Sequence, residues 1–120
     1  NASPQSMKIC IDYFKEIKIK KEQKKLLVLG DMKELGKNSL NYHIELLEYI
    51  VMKKLSNVII CGELLKIALD KICNKNILNM DDINSIIEYA KKNLKNNDIV
   101  LIKGSNSSLT RNLALKLLKK

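Results

Sequence analysis

Leu26-Leu27-Val28-Leu29-Gly30 is the stretch whose reading decides the fold. It is short, continuous and apolar, which is the pattern of a strand buried on both faces rather than one with a wet side. Two more runs have the same form: Asn57-Val58-Ile59-Ile60-Cys61-Gly62 and Asp98-Ile99-Val100-Leu101-Ile102-Lys103-Gly104. Ile77-Leu78-Asn79-Met80 reads as a weaker, shorter strand.

Helical patterns lie between and around these runs. Ser3-Pro4 reads as an N-cap with proline at the first helical position, and Met7, Cys10, Ile11, Phe14 and Ile17 follow at helical spacing. A lysine-rich stretch, Lys18 to Lys25, separates that helix from the first strand. A loop through Lys37-Asn38 leads to a stripe of Leu40, Ile44, Leu47, Val51 and Leu55. Leu64, Ala68 and Ile72, with Leu65 and Leu69, mark the next helix. Asp81-Asp82 caps another, carrying Ile83, Ile86, Ile87, Ala90 and Leu94, and Leu109, Leu113 and Leu117 stripe a last one. Strands alternating with helices in this way predict βαβ units, a parallel sheet and helices on both of its faces.

Composition narrows the class further. The chain has 120 residues, 46% hydrophobic and 29% charged, which fits one domain, residues 1–120, with a single core. No apolar run approaches a membrane span, and Asn1-Ala2-Ser3-Pro4-Gln5 does not open a signal peptide. Cys10, Cys61 and Cys73 show no paired spacing, so they read as reduced, buried thiols of a cytoplasmic protein and not as a disulfide or zinc framework. The net charge is +9, from 21 lysines, one arginine and 13 acidic residues. Lysine with a single arginine, and aromatics that are not interleaved with the basic residues, argue against a nucleic-acid binder. The charge reads mostly as a solvated surface.

Gly30, Gly62 and Gly104 each follow one of the three clear strands. Ligands of open α/β sheets bind beyond the carboxyl ends of the strands, and glycine there lets a ligand or a second backbone approach. Asp31-Met32-Lys33-Glu34, Glu63 and Ser105-Asn106-Ser107-Ser108 come next and are largely polar. Lys103 closes an apolar strand just before its glycine, where an ammonium can be aimed at an anion. Gly30 to Gly36-Lys37 is not a phosphate-binding loop: five residues separate the glycines, and Asn38 stands where Ser or Thr should follow the lysine. No nucleophile–base pair is evident, so no catalytic residue is assigned. His43, the single histidine, sits by spacing near a helix start, where a surface or capping role is the plain expectation.

These residues together resemble the Mur ligases, in particular the branch that adds D-alanyl-D-alanine. Val28-Leu29-Gly30-Asp31-Met32-Lys33-Glu34-Leu35-Gly36 matches that family's V-L-G-D-M-x-E-L-G, and Ser39 and His43 fall where its continuation places a serine and a histidine. Asn1-Ala2-Ser3-Pro4-Gln5-Ser6-Met7 is similar to the tail of its Y-N-A-N-P-x-S-M motif, with Ser3 in place of the second asparagine. Gly62-Glu63-Leu64 and Val100-Leu101-Ile102-Lys103-Gly104-Ser105 are similar to its G-E-L and V-L-V-K-G-S segments.

The resemblance implies a Rossmann-like, three-layer α/β/α domain with a mainly parallel sheet. It implies the C-terminal, closing domain of a three-domain ligase, without the N-terminal UDP-sugar domain and the central ATP domain. Such enzymes use ATP and Mg2+ to activate a tripeptide carboxylate as an acyl phosphate, which the amine of D-alanyl-D-alanine attacks. Asp31, Met32, Glu34, His43, Lys103, Gly104, Ser105 and Asn106 are then expected to line the dipeptide site or interdomain cleft, with His43 orienting the Asp31–Glu34 loop. Asn1 and Ser3 are expected to face ATP, and Asn106 stands where arginine is frequent in the family. No metal ligand is expected in this chain. It is expected to be inactive alone, monomeric, cytoplasmic, and free of nucleic acid and of membrane insertion. A free-standing flavodoxin- or receiver-like module shares the same βα rhythm and is the alternative.

Overall fold

The structure, a computed structural model, describes residues 2–105. Along the chain run α1 (Pro4–Glu16), β1 (Lys25–Gly30), a 3-10 turn (Gly36–Asn38), α2 (Ser39–Met52), β2 (Val58–Cys61), α3 (Glu63–Ile72), β3 (Ile77–Asn79), α4 (Ile83–Asn93) and β4 (Ile99–Lys103). The helix expected around Leu109, Leu113 and Leu117 lies outside the described residues. No described helix is long and apolar enough to cross a membrane.

The four described strands are all parallel, in the order β3-β2-β1-β4. β1 is central, pairing Leu27 with Val58 on one side and with Leu101 on the other. This is why its run is apolar without alternation: Leu27 and Leu29 enter the core under α1, α2 and α3, and Leu26 and Val28 enter a second core under α4. The helices therefore cover both faces of the sheet, giving the three-layer α/β/α architecture.

Local signals set the helix boundaries. Ser3 forms a capping box with Ser6: its hydroxyl accepts the Ser6 N–H at 3.0 Å, and its own N–H donates to the Ser6 hydroxyl at 2.8 Å. Asp82 caps α4 by accepting the Ser85 N–H at 2.8 Å. At the other end of α1 the Lys25 ammonium donates to the Phe14 and Ile17 carbonyls, at 2.6 and 2.9 Å, and lies over the Phe14 ring. A cation there complements the helix dipole.

Two readings of the sequence are corrected. The core face of α2 is His43, Leu46, Leu47 and Ile50. Leu40 and Ile44 pack along its flank, Val51 is 42% exposed, and the helix stops before Leu55. The apolar count missed this face because a polar residue, His43, occupies part of it. The left-handed Lys54 (φ 57°) ends the helix one turn early. Of the cysteines only Cys61 is buried; Cys10 is half-buried, and Cys73 is the exposed, left-handed C-cap of α3.

Candidate functional site

The strand order reverses between β1 and β4, so the loops leaving these two strands sit side by side at the carboxyl edge of the sheet. Their approach is close. A Cβ on Gly104 would lie 2.9 Å from the Gly30 Cα, a distance real side chains do not tolerate. Glycine at 104 lets the two loops touch backbone to backbone.

Asp31 is the first residue beyond β1, and its carboxylate reaches across to β2. Oδ2 accepts the Leu64 N–H and Oδ1 accepts the Leu65 N–H, each at 3.0 Å. These donors belong to the first turn of α3, whose own N-cap is Gly62 and has no side chain to offer. A carboxylate from another loop thus caps α3 and meets the positive end of its dipole. The space it fills is the one Gly62 leaves open.

Ser105 closes the arrangement from the β4 side. Its N–H donates to the Asp31 carbonyl at 2.9 Å. Its hydroxyl accepts the Lys33 N–H at 3.0 Å and donates to the Ala2 carbonyl at 3.1 Å. One serine therefore ties the β1 loop, the β4 loop and the approach to α1.

His43 holds the same loop from beneath. It is fully buried. Its Nε2 accepts the Met32 N–H at 3.0 Å, and its Nδ1 lies 2.6 Å from the Ser39 carbonyl. An amide only donates and a carbonyl only accepts, so the ring is neutral with its proton on Nδ1. The expectation of a surface or simple capping histidine is overturned. The Asp31 carboxylate is 4.0 Å from Nε2. Met32 is itself fully buried in the core, so its side chain anchors the loop and is closed to a ligand.

Glu34, which is exposed, and Lys103, which is half-buried, stand apart from these. Glu34 stands at φ 61° in the left-handed region, followed by Gly36 at φ 72°. A non-glycine residue held there carries backbone strain, which concentrates at functional loops. Lys103 pairs with Leu29 and continues the Leu101 side of β4, facing α1. Burial pushes the Cys10 thiol on α1 up, and the Lys103 ammonium partly offsets this. Among the described residues the Lys103 ammonium makes no hydrogen bond or ion pair. Asn1 and Asn106 lie outside the described residues.

Beside Gly62 a groove of about 650 Å3 opens over the ends of β2 and β3, lined by Cys61, Glu63, Lys66, Ile67 and Asp81. The sequence placed Cys61 at a strand end, Glu63 beyond Gly62 and Asp81 at a helix cap, but gave no sign that they share a groove with Lys66 and Ile67. Burial, then the carboxylates of Asp31, Asp81 and Asp82, push the Cys61 thiol up. No three His, Cys, Asp or Glu side chains among the described residues gather as a metal site. Ser3 spends its hydroxyl on the α1 cap.

The pattern that defines the Mur ligase, glutamate ligase domain matches residues 1–106. The chain belongs to this family. A Mur ligase relative from Rickettsia prowazekii (strain Madrid E), a UDP-N-acetylmuramoyl-tripeptide–D-alanyl-D-alanine ligase, is 34% identical over 113 residues. That match covers 88% of this chain and 23% of the relative. The crystal structure of MurF ligase from Thermotoga maritima in complex with ADP superposes with a TM-score of 0.75 at 30% identity, covering 99% of this chain and 26% of that one. A crystal structure of MurF from Acinetobacter baumannii shares the fold, with a TM-score of 0.80 at 22% identity over 100% of this chain and 26% of its own. The chain thus spans about a quarter of the length of these ligases.

Proposed function

We propose that this chain is the C-terminal domain of an ATP-dependent ligase that joins D-alanyl-D-alanine to UDP-N-acetylmuramoyl-tripeptide in peptidoglycan synthesis. The observation that carries the reading is the clamped Gly30–Gly36 loop, which matches the branch's motif and sits beside the Lys103-Gly104-Ser105 strand end. In the assembled enzyme ATP and Mg2+ belong to the central domain, and the UDP-sugar to the N-terminal one. These two domains would precede this one in the same polypeptide. The bound nucleotide supplies the acyl phosphate on the tripeptide, and this domain closes over it, excluding water and aligning the dipeptide amine.

Within the expected set the residues divide into two roles. Asp31, Met32, His43 and Ser105 hold the loop in shape. Glu34, Lys103, Gly104 and Asn106 face the dipeptide or the cleft, and Lys103 offers its ammonium to the dipeptide carboxylate or a phosphate. Asn1 and Ser3 mark the ATP-facing edge. The domain has no turnover of its own, and works in the cytoplasm as part of a monomeric enzyme without nucleic acid. The test is an assay of ligase and ATPase activity for the chain alone and for the chain joined to the two other domains. Activity only in the joined form supports the reading; turnover by the chain alone overturns it.

A further inference from the structure

The lysines are not spread evenly over this fold. In a parallel sheet every helix-to-strand connection lies at the amino edge and every strand-to-helix connection at the carboxyl edge. Residues 17–24, 53–57, 73–76 and 94–98 form the amino edge and carry eight lysines against two acidic residues. Among the described residues, 31–38, 62, 80–82 and 104–105 form the carboxyl edge, with two lysines against four acidic residues. The basic pole is therefore the one opposite the candidate site.

Helix dipoles explain only part of this pole. Lys15 and Lys24 do cap carbonyls, donating to Lys53 and Asn93. Lys18, Lys20, Lys21, Lys54 and Lys95 are exposed, and among the described residues none forms an ion pair. Apolar side chains stand among them: Ile19 is 39% exposed and Met52, at the end of α2, is 65% exposed. Ile19 also lines a depression of about 370 Å3 whose rim carries Lys15, Lys24 and Lys54.

We infer that this amino edge docks on an anionic phospholipid bilayer, lysines on the headgroups and Ile19 and Met52 at the acyl boundary. Lysine is a point charge suited to diffuse anionic surfaces and lacks the fork by which arginine reads phosphates and bases. Exposed aliphatics gain free energy at a lipid interface and have no face on which to stack a nucleobase. Docking is peripheral, and it leaves the Asp31–Ser105 edge turned to solvent. The inference stands independently of the ligase reading.

The test is co-sedimentation of the chain with phosphatidylcholine vesicles, with and without phosphatidylglycerol. The chain binds only the vesicles holding phosphatidylglycerol, and added salt releases it. Each surface lysine is worth about fivefold in partitioning. Lys20→Glu/Lys21→Glu accordingly lowers binding by about 25-fold or more, whereas Lys37→Glu/Lys66→Glu, with the same change in net charge, leaves it within about twofold. Ile19→Ala weakens binding without changing its salt dependence. No binding to phosphatidylglycerol vesicles at low ionic strength overturns the inference. So does an equal loss in both double variants, or tighter binding to single-stranded RNA than to vesicles.

Discussion

The Asp31 carboxylate occupies the volume that a side chain at Gly62 would need: a Cβ there would lie 2.5 Å from the Asp31 Cγ. Gly62 has φ 163°, extended backbone open to any residue, so its requirement is space and not conformation. The two residues form one device. The glycine makes room at the end of β2, and the aspartate beyond β1 enters it to cap α3. The Asp31 backbone meanwhile receives Ser105 from beyond β4.

Gly62→Ala therefore expels the carboxylate and uncaps α3. The cost is about 2–3 kcal/mol, from overpacking and the lost cap. Gly36→Ala meets open space at φ 72° and costs about 1 kcal/mol, from backbone strain alone. The decisive measurement is a double-mutant cycle by urea denaturation. Once Asp31→Ala has emptied the niche, Gly62→Ala becomes nearly free, and additive losses would show that the two positions are not coupled.

His43 makes a separable prediction. His43→Phe fills the ring's volume but leaves the Met32 N–H buried without an acceptor, at about 1–3 kcal/mol. Amide hydrogen exchange locates the effect. Protection at Met32 and Lys33 falls, while the β1 amides from Leu26 to Leu29 follow global stability. Uniform loss along the chain would mean that the histidine supports only packing.

The acid limb of stability is set partly at the opposite edge. Asp98 accepts the Lys24 N–H at 2.8 Å and the Lys95 N–H at 2.7 Å, joining the starts of β1 and β4. The Lys95 and Lys24 backbone bonds hold its carboxyl below the usual aspartate range, and the Ser85 amide and hydroxyl do the same for Asp82. Depressed folded-state values stabilise above the unfolded value, about pH 3.9, and that contribution is lost as pH falls through the lower folded value. Asp98→Asn is thus less stable than the parent at neutral pH, and its stability falls less steeply below about pH 4. Parallel curves for the two proteins would rule out the linkage.

How legible all this was depends on the range of each interaction. The strands could be read because β1 is covered on both faces and shows it in five consecutive residues, and the start of α1 because Ser3, Pro4 and Ser6 act within one turn. The site's composition was also visible: Asp31, His43 and Ser105 stand out by motif. Their work was not. Asp31 acts on amides 33 and 34 residues away, and His43 on an amide 11 residues before it. No periodicity encodes a hydrogen bond between a loop and a distant helix. The same blindness let the +9 charge pass as diffuse, since only the topology gathers four separate connections onto one edge.

Lys103 separates holding from binding. It is half-buried and its ammonium, among the described residues, forms no ion pair, so Lys103→Met removes an unpaired charge and keeps the stem's packing. Thermal stability of the chain then stays within about 0.5 kcal/mol of the parent, or rises. If the ammonium meets the dipeptide carboxylate or a phosphate in the assembled ligase, the same substitution removes a charge-assisted contact worth about 1.5–3 kcal/mol, roughly 10- to 150-fold in kcat/KM. Asp31→Ala gives the converse pattern, with lost stability accompanying whatever activity is lost. A Lys103→Met enzyme with parental kcat/KM would remove the lysine from the site and leave Glu34, Gly104 and Asn106 as its remaining contacts.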